Sequence, residues 1–207
     1  AIIIATLRAL MHFYGVDIPL GPQPNLALSV ETEELGIGAG LQGRGIQCYE
    51  GCVYMDFSQD LMEKQGYGHY VSIDPECLPC LFVAYDDRAG EGTEVFHNTL
   101  RARWEEGDPE VREAMTEFAG LAEAAYKALL AGASEELDDL LDQNFNLRHR
   151  ISRLNARHVQ LVEVGRANQA HVKYAGSGGA VIGTYRDDEH FEQLSAGYRA
   201  IGAKIIR

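Results

Sequence analysis

The chain has 207 residues, of which 31 are acidic and 18 are Lys or Arg, so its formal net charge is −13 at pH 7. Surfaces that bind nucleic acid or anionic lipid need clustered basic side chains, and this charge argues against both partners. With 46% hydrophobic and 24% charged residues the composition is that of a globular protein with one large domain or two small ones. Arg8 and His12 interrupt the apolar start, so neither a spanning helix nor a secretory signal is predicted, and the cytoplasm is the expected compartment.

The first part of the chain reads as helices around a glycine-rich loop, followed by a strand. Hydrophobic spacing and turn residues predict helices over residues 1–14, 25–34 and 42–49 and a strand over residues 52–57. No N-cap residue precedes the first helix and residue 1 is Ala, so we expect the chain to begin inside an element. Residues 60–68 are polar and rich in flexible residues, which makes them the expected boundary between two lobes.

The second part alternates between strands and a run of helices. The expected strands cover residues 69–73, 81–85, 171–175, 180–185 and 204–207, and the expected helices cover residues 93–104, 109–130, 134–147, 155–168 and 190–201. Asp108 and Pro109 supply an N-cap and a first-turn proline for the longest helix. Strands and helices do not alternate regularly, so the fold class is mixed α+β.

Four cysteines, at positions 48, 52, 77 and 80, include the C-x-x-C spacing of a zinc or redox site. We favour the commoner role of free cysteine as a small buried apolar residue. Cys80 opens the apolar run CLFVAY, where a strand would point it into the core. No helix follows the CLPC motif to lower the pKa of its thiols, so a redox role is not favoured either.

The motif GAGLQG, with Gly38, Gly40 and Gly43, satisfies the G-x-G-x-x-G pattern of dinucleotide-binding turns. That pattern needs a buried strand immediately before its first glycine. Here the preceding segment is helical and rich in Glu, so nicotinamide or flavin binding is not predicted.

The longer stretch LGIGAGLQGRGIQCYEGCVYMDF resembles the segment that follows the phosphate loop in the GHMP kinases, closest to the glucuronokinase-type branch. The opening AIIIATLRALMHFYGV resembles the helix after that family's GSSA loop, and SIDPECLPCLFVAY, HNTLRARWEEGD and VKYAGSGGAVIG resemble its second lobe. The resemblance implies a two-lobed α+β fold whose C-terminal lobe packs helices on an antiparallel sheet. Residues 1–62 would be the last part of the N-terminal, ATP-binding domain, residues 63–207 the C-terminal domain, and the chain would start just after the GSS loop.

In function, the resemblance implies an ATP-dependent sugar kinase that phosphorylates an anomeric hydroxyl, with glucuronate as substrate and ATP and Mg²⁺ as cofactors. It assigns Mg²⁺ to Glu31 and nucleotide binding to Ala1, at the start of the first helix, and to the loop residues Gly176, Ser177, Gly178 and Gly179. Arg44 has two open interpretations, a partner for the carboxylate of a sugar acid or a structural ion-pair partner. Asn98, Arg101 and Arg103 are candidate polar contacts in the substrate lobe, but a solvated helix face is the favoured interpretation.

Gly43 stands where the resemblance implies the catalytic aspartate, in the pattern LQDR. Loss of a positioned general base lowers a rate by roughly 10²- to 10⁴-fold. Gly45 and Glu50 also depart from the apolar residue and the glycine that the family pattern has there. The alternative is therefore a catalytically silent homologue or fragment with a binding role, and this chain alone is expected to be inactive.

Overall fold

The structure, a computed structural model, describes residues 1–87 and 100–207. These residues form two compact units, Ala1–Pro75 and Glu76–Arg207. Within the described residues no helix is both long and apolar enough to cross a membrane.

The first unit consists of short helices and one antiparallel strand pair. In chain order its elements are α1 (Ile2–Tyr14), α2 (Gln23–Ser29), a π-helical turn (Val30–Glu34), α3 (Leu41–Tyr49), β1 (Cys52–Asp56), α4 (Gln59–Gln65) and β2 (His69–Ile73). Strands β1 and β2 pair with Cys52 opposite Ile73 and Asp56 opposite His69. The buried core is small and contains Ile4, Ala27 and Cys48.

The segment expected to be a flexible boundary instead contains helix α4. Gly66 ends this helix in a left-handed conformation, with φ 79°, which a residue without a side chain adopts freely. The chain divides into its two compact units at residues 75/76, because it returns after α4 to pair β2 with β1. The assignment of these segments to the two domains of a kinase stays a prediction.

The second unit packs helices on an antiparallel sheet, as expected. After a 3₁₀ turn (Pro75–Cys77) its elements are β3 (Leu81–Tyr85), α5 (Pro109–Ala131), α6 (Ser134–Ile151), α7 (Ala156–Ala167), β4 (Val172–Tyr174), β5 (Ala180–Thr184), α8 (Asp188–Ala200) and β6 (Lys204–Ile206). The strand order is β4-β5-β3-β6. The side chain of Asp108 accepts hydrogen bonds from the first amides of α5, which confirms the predicted N-cap.

The core of the second unit lies between this sheet and helices α6, α7 and α8. Phe82 and Val181 point from the sheet toward Leu161, Leu194 and Tyr198, and all five are 0–1% exposed. The Tyr198 hydroxyl donates a 3.0 Å hydrogen bond to the Leu161 carbonyl, and burial raises the pKa of this tyrosine. The core therefore fixes the hairpin of β4 and β5, which carries the glycine-rich loop.

The expected helix over residues 93–104 is described only from residue 100, and residues 100–105 are helical. Asn98 lies outside the described residues. Arg101 is 79% exposed, as a solvated face requires. The expectation is wrong for Arg103, which donates hydrogen bonds to Asp108 at 2.7 Å and to the Ile151 carbonyl at 2.5 Å, because the ends of α5 and α6 lie beside it.

Candidate functional site

Glu31 lies in the π-helical turn that follows α2. Here the helix widens, with the Leu35 amide bonded to the Val30 carbonyl at 3.2 Å and the Ile37 amide bonded to the Glu31 carbonyl at 2.8 Å. Gly36, with φ 63°, then turns the chain toward α3. Single π-helical turns are rare and are frequent at functional sites. The turn places the Glu31 side chain against α3, while Glu33 and Glu34 remain exposed.

The structure brings Glu31 and Arg44 together as an ion pair between Glu31 Oε2 and Arg44 Nη2, with side chains 12% and 20% exposed. Arg44 Nη1 also donates to the Gly40 carbonyl at 3.3 Å. Glu31 Oε2 and Arg44 Nε are both buried, and Arg44 Nε makes no hydrogen bond to the described residues. The guanidinium is therefore held at the first turn of α3, where it forms an ion pair with Glu31.

Gly43 lies in the same first turn of α3. A Cβ built on Gly43 would meet nothing within 4 Å, whereas one on Gly45 would come within 2.8 Å of Tyr70 Cε1 and 3.0 Å of Met55 Sδ. Gly45 is thus explained by the close packing of α3 on the strand pair. Packing gives no reason for glycine at position 43, since the space around its Cβ position is open.

The predicted Mg²⁺ site at Glu31 can be tested against these contacts. Mg²⁺ takes an octahedral shell of oxygen atoms at about 2.0–2.1 Å, but Glu31 Oε2 is buried and already faces a guanidinium. Among residues 1–87 and 100–207, no group of three or more His, Cys, Asp or Glu side chains is placed to hold a metal. In the arrangement that the structure shows, the residues of this chain do not fit a Mg²⁺ ion at Glu31.

Ala1 is exposed and precedes the first turn of α1, with no side-chain hydrogen bond that caps the helix. Its carbonyl accepts the first helical bond, from the Ala5 amide at 3.0 Å. The role of Ala1 in nucleotide binding stays a prediction.

The glycine-rich loop, residues 176–179, connects β4 to β5. Gly178 and Gly179 have φ values of 148° and 77°, and a Cβ on Gly178 would come within 2.3 Å of His158 Nδ1. Both conformation and space therefore require glycine at position 178. In the part of the chain that the structure describes, the amides of Gly176, Gly178 and Gly179 donate no backbone hydrogen bond.

Arg148, near the end of α6, binds this loop through its guanidinium group. Its Nη1 and Nη2 donate to the carbonyls of Gly176 and Ser177 at 2.7 and 2.9 Å, and its guanidinium lies 5.0 Å from the centre of the Tyr174 ring. Burial lowers the pKa of Arg148. The pKa of Lys173 is lowered by burial and then by the charge of Arg148. Two cations thus lie beside the loop.

The sequence did not point to Arg148. Basic residues in the last turn of a helix are common because they complement the helix dipole, and here Arg148, His149 and Arg150 all occupy that turn. Only the packing of α6 on β4 selects the first of them to meet the loop.

A second polar cluster lies at the opposite end of the β4–β5 hairpin. Asp142 accepts a hydrogen bond from Arg166 Nε at 2.9 Å and pairs with His171 Nδ1 at 2.7 Å. These contacts line a cleft of about 470 Å³ and tie α6 to the end of α7 and the start of β4.

All four cysteines are free. Cys48 is buried, and burial raises the pKa of its thiol while nearby Arg8 partly offsets the shift. The expectation that Cys80 points into the core is wrong, because its side chain is exposed. Strand β3 begins only at Leu81, so the alternation that buries Phe82 and Ala84 does not extend back to residue 80.

No protein-family model matches the chain, but curated proteins and solved structures do. The chain is 42% identical over 188 residues to Probable glucuronokinase 2 of Arabidopsis thaliana and 41% identical over 187 residues to Glucuronokinase 1 of the same organism. Both matches cover 88% of this chain and 51% of the relative. The chain therefore spans about half the length of the curated relatives it matches.

Two solved structures illustrate the fold similarity. The phosphomevalonate kinase of Streptococcus pneumoniae, in complex with phosphomevalonate and AMPPNP, has a TM-score of 0.78 at 16% identity. The aligned region covers 97% of this chain and 64% of the kinase chain. Galactokinase of Lactococcus lactis, complexed with galactose, has a TM-score of 0.69 at 14% identity. The aligned region covers 96% of this chain and 61% of the galactokinase chain.

These similarities define the fold as that of the GHMP kinases. By sequence the chain is similar to two glucuronokinases. The resemblance read from LGIGAGLQGRGIQCYEGCVYMDF is thus confirmed, and the dinucleotide interpretation of GAGLQG is not needed.

Proposed function

We propose that the chain supplies part of an ATP-dependent sugar kinase that phosphorylates the anomeric hydroxyl of glucuronate or a closely related uronic acid. The observation that carries this proposal is the identity of 42% to a glucuronokinase over 88% of the chain. The similarity extends through both units, so it includes the segment with Glu31, Gly43 and Arg44 as well as the glycine-rich loop.

Phosphoryl transfer depends mainly on positioning and on neutralising the phosphate charge. ATP supplies the phosphoryl group. We assign nucleotide contacts in the second unit to Gly176, Ser177, Gly178 and Gly179. Among the described residues the amides of the three glycines donate no backbone hydrogen bond, and two cations lie beside the loop. Arg148 stabilises the conformation of the loop by donating hydrogen bonds to the carbonyls of Gly176 and Ser177. Ala1 at the start of α1 is the corresponding proposal for the first unit.

We propose that position 43 lacks the carboxylate that would accept the proton of the attacking hydroxyl. Gly43 cannot accept a proton, and the open space around it means that packing does not exclude the missing side chain. Activity with Gly43 is therefore proposed to be low, and a silent homologue with a binding role is the outcome that the experiment must distinguish.

The experiment uses Glucuronokinase 1 of Arabidopsis thaliana in which this chain, carrying Gly43→Asp, replaces the matching segment. Release of ADP is measured with glucuronate and with glucose, after circular dichroism has shown that the chimaera folds. We expect ADP release that requires both ATP and glucuronate, and Gly178→Ala should reduce it because the loop is displaced. ADP release that ignores glucuronate, in a folded chimaera that binds ATP, would contradict the proposed substrate class.

We propose a sugar acid as the small-molecule partner. The sequence-based expectations of no nucleic-acid partner, no membrane partner and a cytoplasmic location stay predictions.

A further inference from the structure

We propose that in this chain the guanidinium of Arg44, and not a divalent cation, neutralises Glu31, and that glycine at position 43 is what makes this possible. The inference rests on the proposed function, because it concerns the charges where the kinase resemblance places a metal and a base. Its evidence is the local charge balance, independent of nucleotide or sugar.

The Glu31 carboxylate is the acidic group of the π-helical turn that is taken out of solvent. Its side chain is 12% exposed, whereas Glu33 and Glu34 are exposed. A charge removed from water to this extent needs a counter-charge. Arg44 supplies it, and no other ion pair to Glu31 is present among the described residues.

Arg44 is also held where it can do this. Its Nη1 donates to the Gly40 carbonyl, the N-cap of its own helix, at 3.3 Å, and its side chain is 20% exposed. Glu31 and Arg44 together have no net charge, so the pair has little attraction for a cation. A metal that binds Oε2 would have to displace the guanidinium from that atom.

Position 43 determines whether this balance holds. A carboxylate there would add a negative charge on the residue next to Arg44, so Glu31, Arg44 and residue 43 together would carry a net charge of −1. The buried Arg44 Nε, which makes no hydrogen bond to the described residues, shows that the guanidinium still has a donor to offer. With Gly43 the site is self-neutralised. The Gly43→Asp variant would require an external cation.

The test is a titration of the 207-residue chain with Mn²⁺, followed by electron paramagnetic resonance, with no nucleotide or sugar present. The proteins compared are the unmodified chain, Arg44→Met, Gly43→Asp, Glu31→Gln and the double variant Glu31→Gln with Arg44→Met. Arg8→Met is the matched control, because it removes an arginine of the same unit from an exposed ion pair with Glu50 at 2.8 Å. Circular dichroism checks the fold of each.

We expect Arg44→Met and Gly43→Asp to bind Mn²⁺ at least tenfold more tightly than the unmodified chain. The double variant should return to the weak binding of the unmodified chain, and Arg8→Met should leave it unchanged. Binding to the unmodified chain that Glu31→Gln weakens tenfold would overturn the proposal, as would equal affinities throughout. If Arg44→Met does not fold, Gly43→Asp and Glu31→Gln decide the question alone.

The experiment measures metal binding without substrate. A result that overturns the charge-balance proposal therefore does not bear on the proposed kinase activity. Conversely, failure of the chimaera to release ADP would not alter the expected Mn²⁺ affinities.

Discussion

Glu50 shows how a single residue departs from the family pattern at a conformational cost. It follows α3 with φ 61° and ψ 172°, a region that is essentially restricted to glycine. The resemblance expects glycine at this position. The ion pair with Arg8 does not explain the change, because both side chains are well exposed, at 46% and 69%, and such pairs contribute little.

We predict that Glu50→Gly raises the free energy of unfolding by about 1 kcal/mol, since relief of the strained conformation outweighs the lost surface ion pair. Urea unfolding measures this change. Glu50→Gln is the matched control because it removes the charge but keeps the strained backbone. A Glu50→Gly protein no more stable than the Glu50→Gln protein would show that residue 50 is not strained.

At the scale of elements, α3 lies on the β1–β2 pair so closely that Gly45 is needed. The ring of Tyr70 on β2 is stacked on Tyr49 at 4.5 Å between centroids, and the space over Gly45 is filled by Tyr70 and Met55. The sequence could predict the helix and both strands, but not which of the glycines in LQGRG faces the sheet.

Substitution by alanine is therefore expected to change the free energy of unfolding in opposite directions at the two glycines of α3. Gly43→Ala should stabilise the protein by about 0.5–1 kcal/mol, because alanine is the better helix former and its Cβ meets nothing. Gly45→Ala gains the same propensity but crowds the Tyr70 ring, which costs roughly 1–3 kcal/mol. Chemical denaturation of both variants measures the difference, and equal midpoints would mean that the helix does not pack as described.

Tyr70 gives this contact a pH dependence. Burial, followed by the nearby Tyr49, raises the pKa of Tyr70 from 10 to about 12, so the fold favours the neutral phenol. Its contribution to stability is complete below pH 10 and is lost as the pH rises from 10 to about 12. Spectrophotometric titration at the phenolate band should show one fewer late-titrating tyrosine in Tyr70→Phe than in the unmodified chain, in which the pKa values of Tyr49 and Tyr198 are also raised.

At neutral pH the same substitution should change stability little, because the buried Tyr70 hydroxyl makes no hydrogen bond to the described residues. Tyr198→Phe is the contrasting variant. It leaves the Leu161 carbonyl without its 3.0 Å partner and should cost about 1–3 kcal/mol. If Tyr70→Phe were the more damaging of the two, the Tyr70 hydroxyl would have a partner that the structure does not show.

For the whole molecule, hydrophobic spacing predicted most elements to within a few residues because that information is local. The helix expected over residues 109–130 is observed as Pro109–Ala131, and both strands of the glycine-loop hairpin were predicted. The position of the division at residues 75/76 could not be predicted, because it depends on β2 returning to β1. Composition alone suggested that residues 60–68 would be flexible.

The candidate sites show the same division between local and distant information. The sequence singled out Glu31, Gly43, Arg44 and the glycine-rich loop through their resemblance to a kinase pattern. It left the role of Arg44 open, and only the path of the chain from the π-helical turn to α3 brings Arg44 onto Glu31. Arg148 was missed because its contact with the loop joins residues 28 and 29 positions apart.

The role of position 43 is tested by comparing the folded Glucuronokinase 1 chimaera that keeps Gly43 with the same chimaera carrying Gly43→Asp. Each protein is assayed for ADP release at saturating ATP and glucuronate. If position 43 is where a sugar kinase has lost its carboxylate, Gly43→Asp should increase kcat by roughly 10²- to 10⁴-fold. Equal kcat values for the two folded chimaeras would contradict the proposal that the catalytic carboxylate has been lost from position 43.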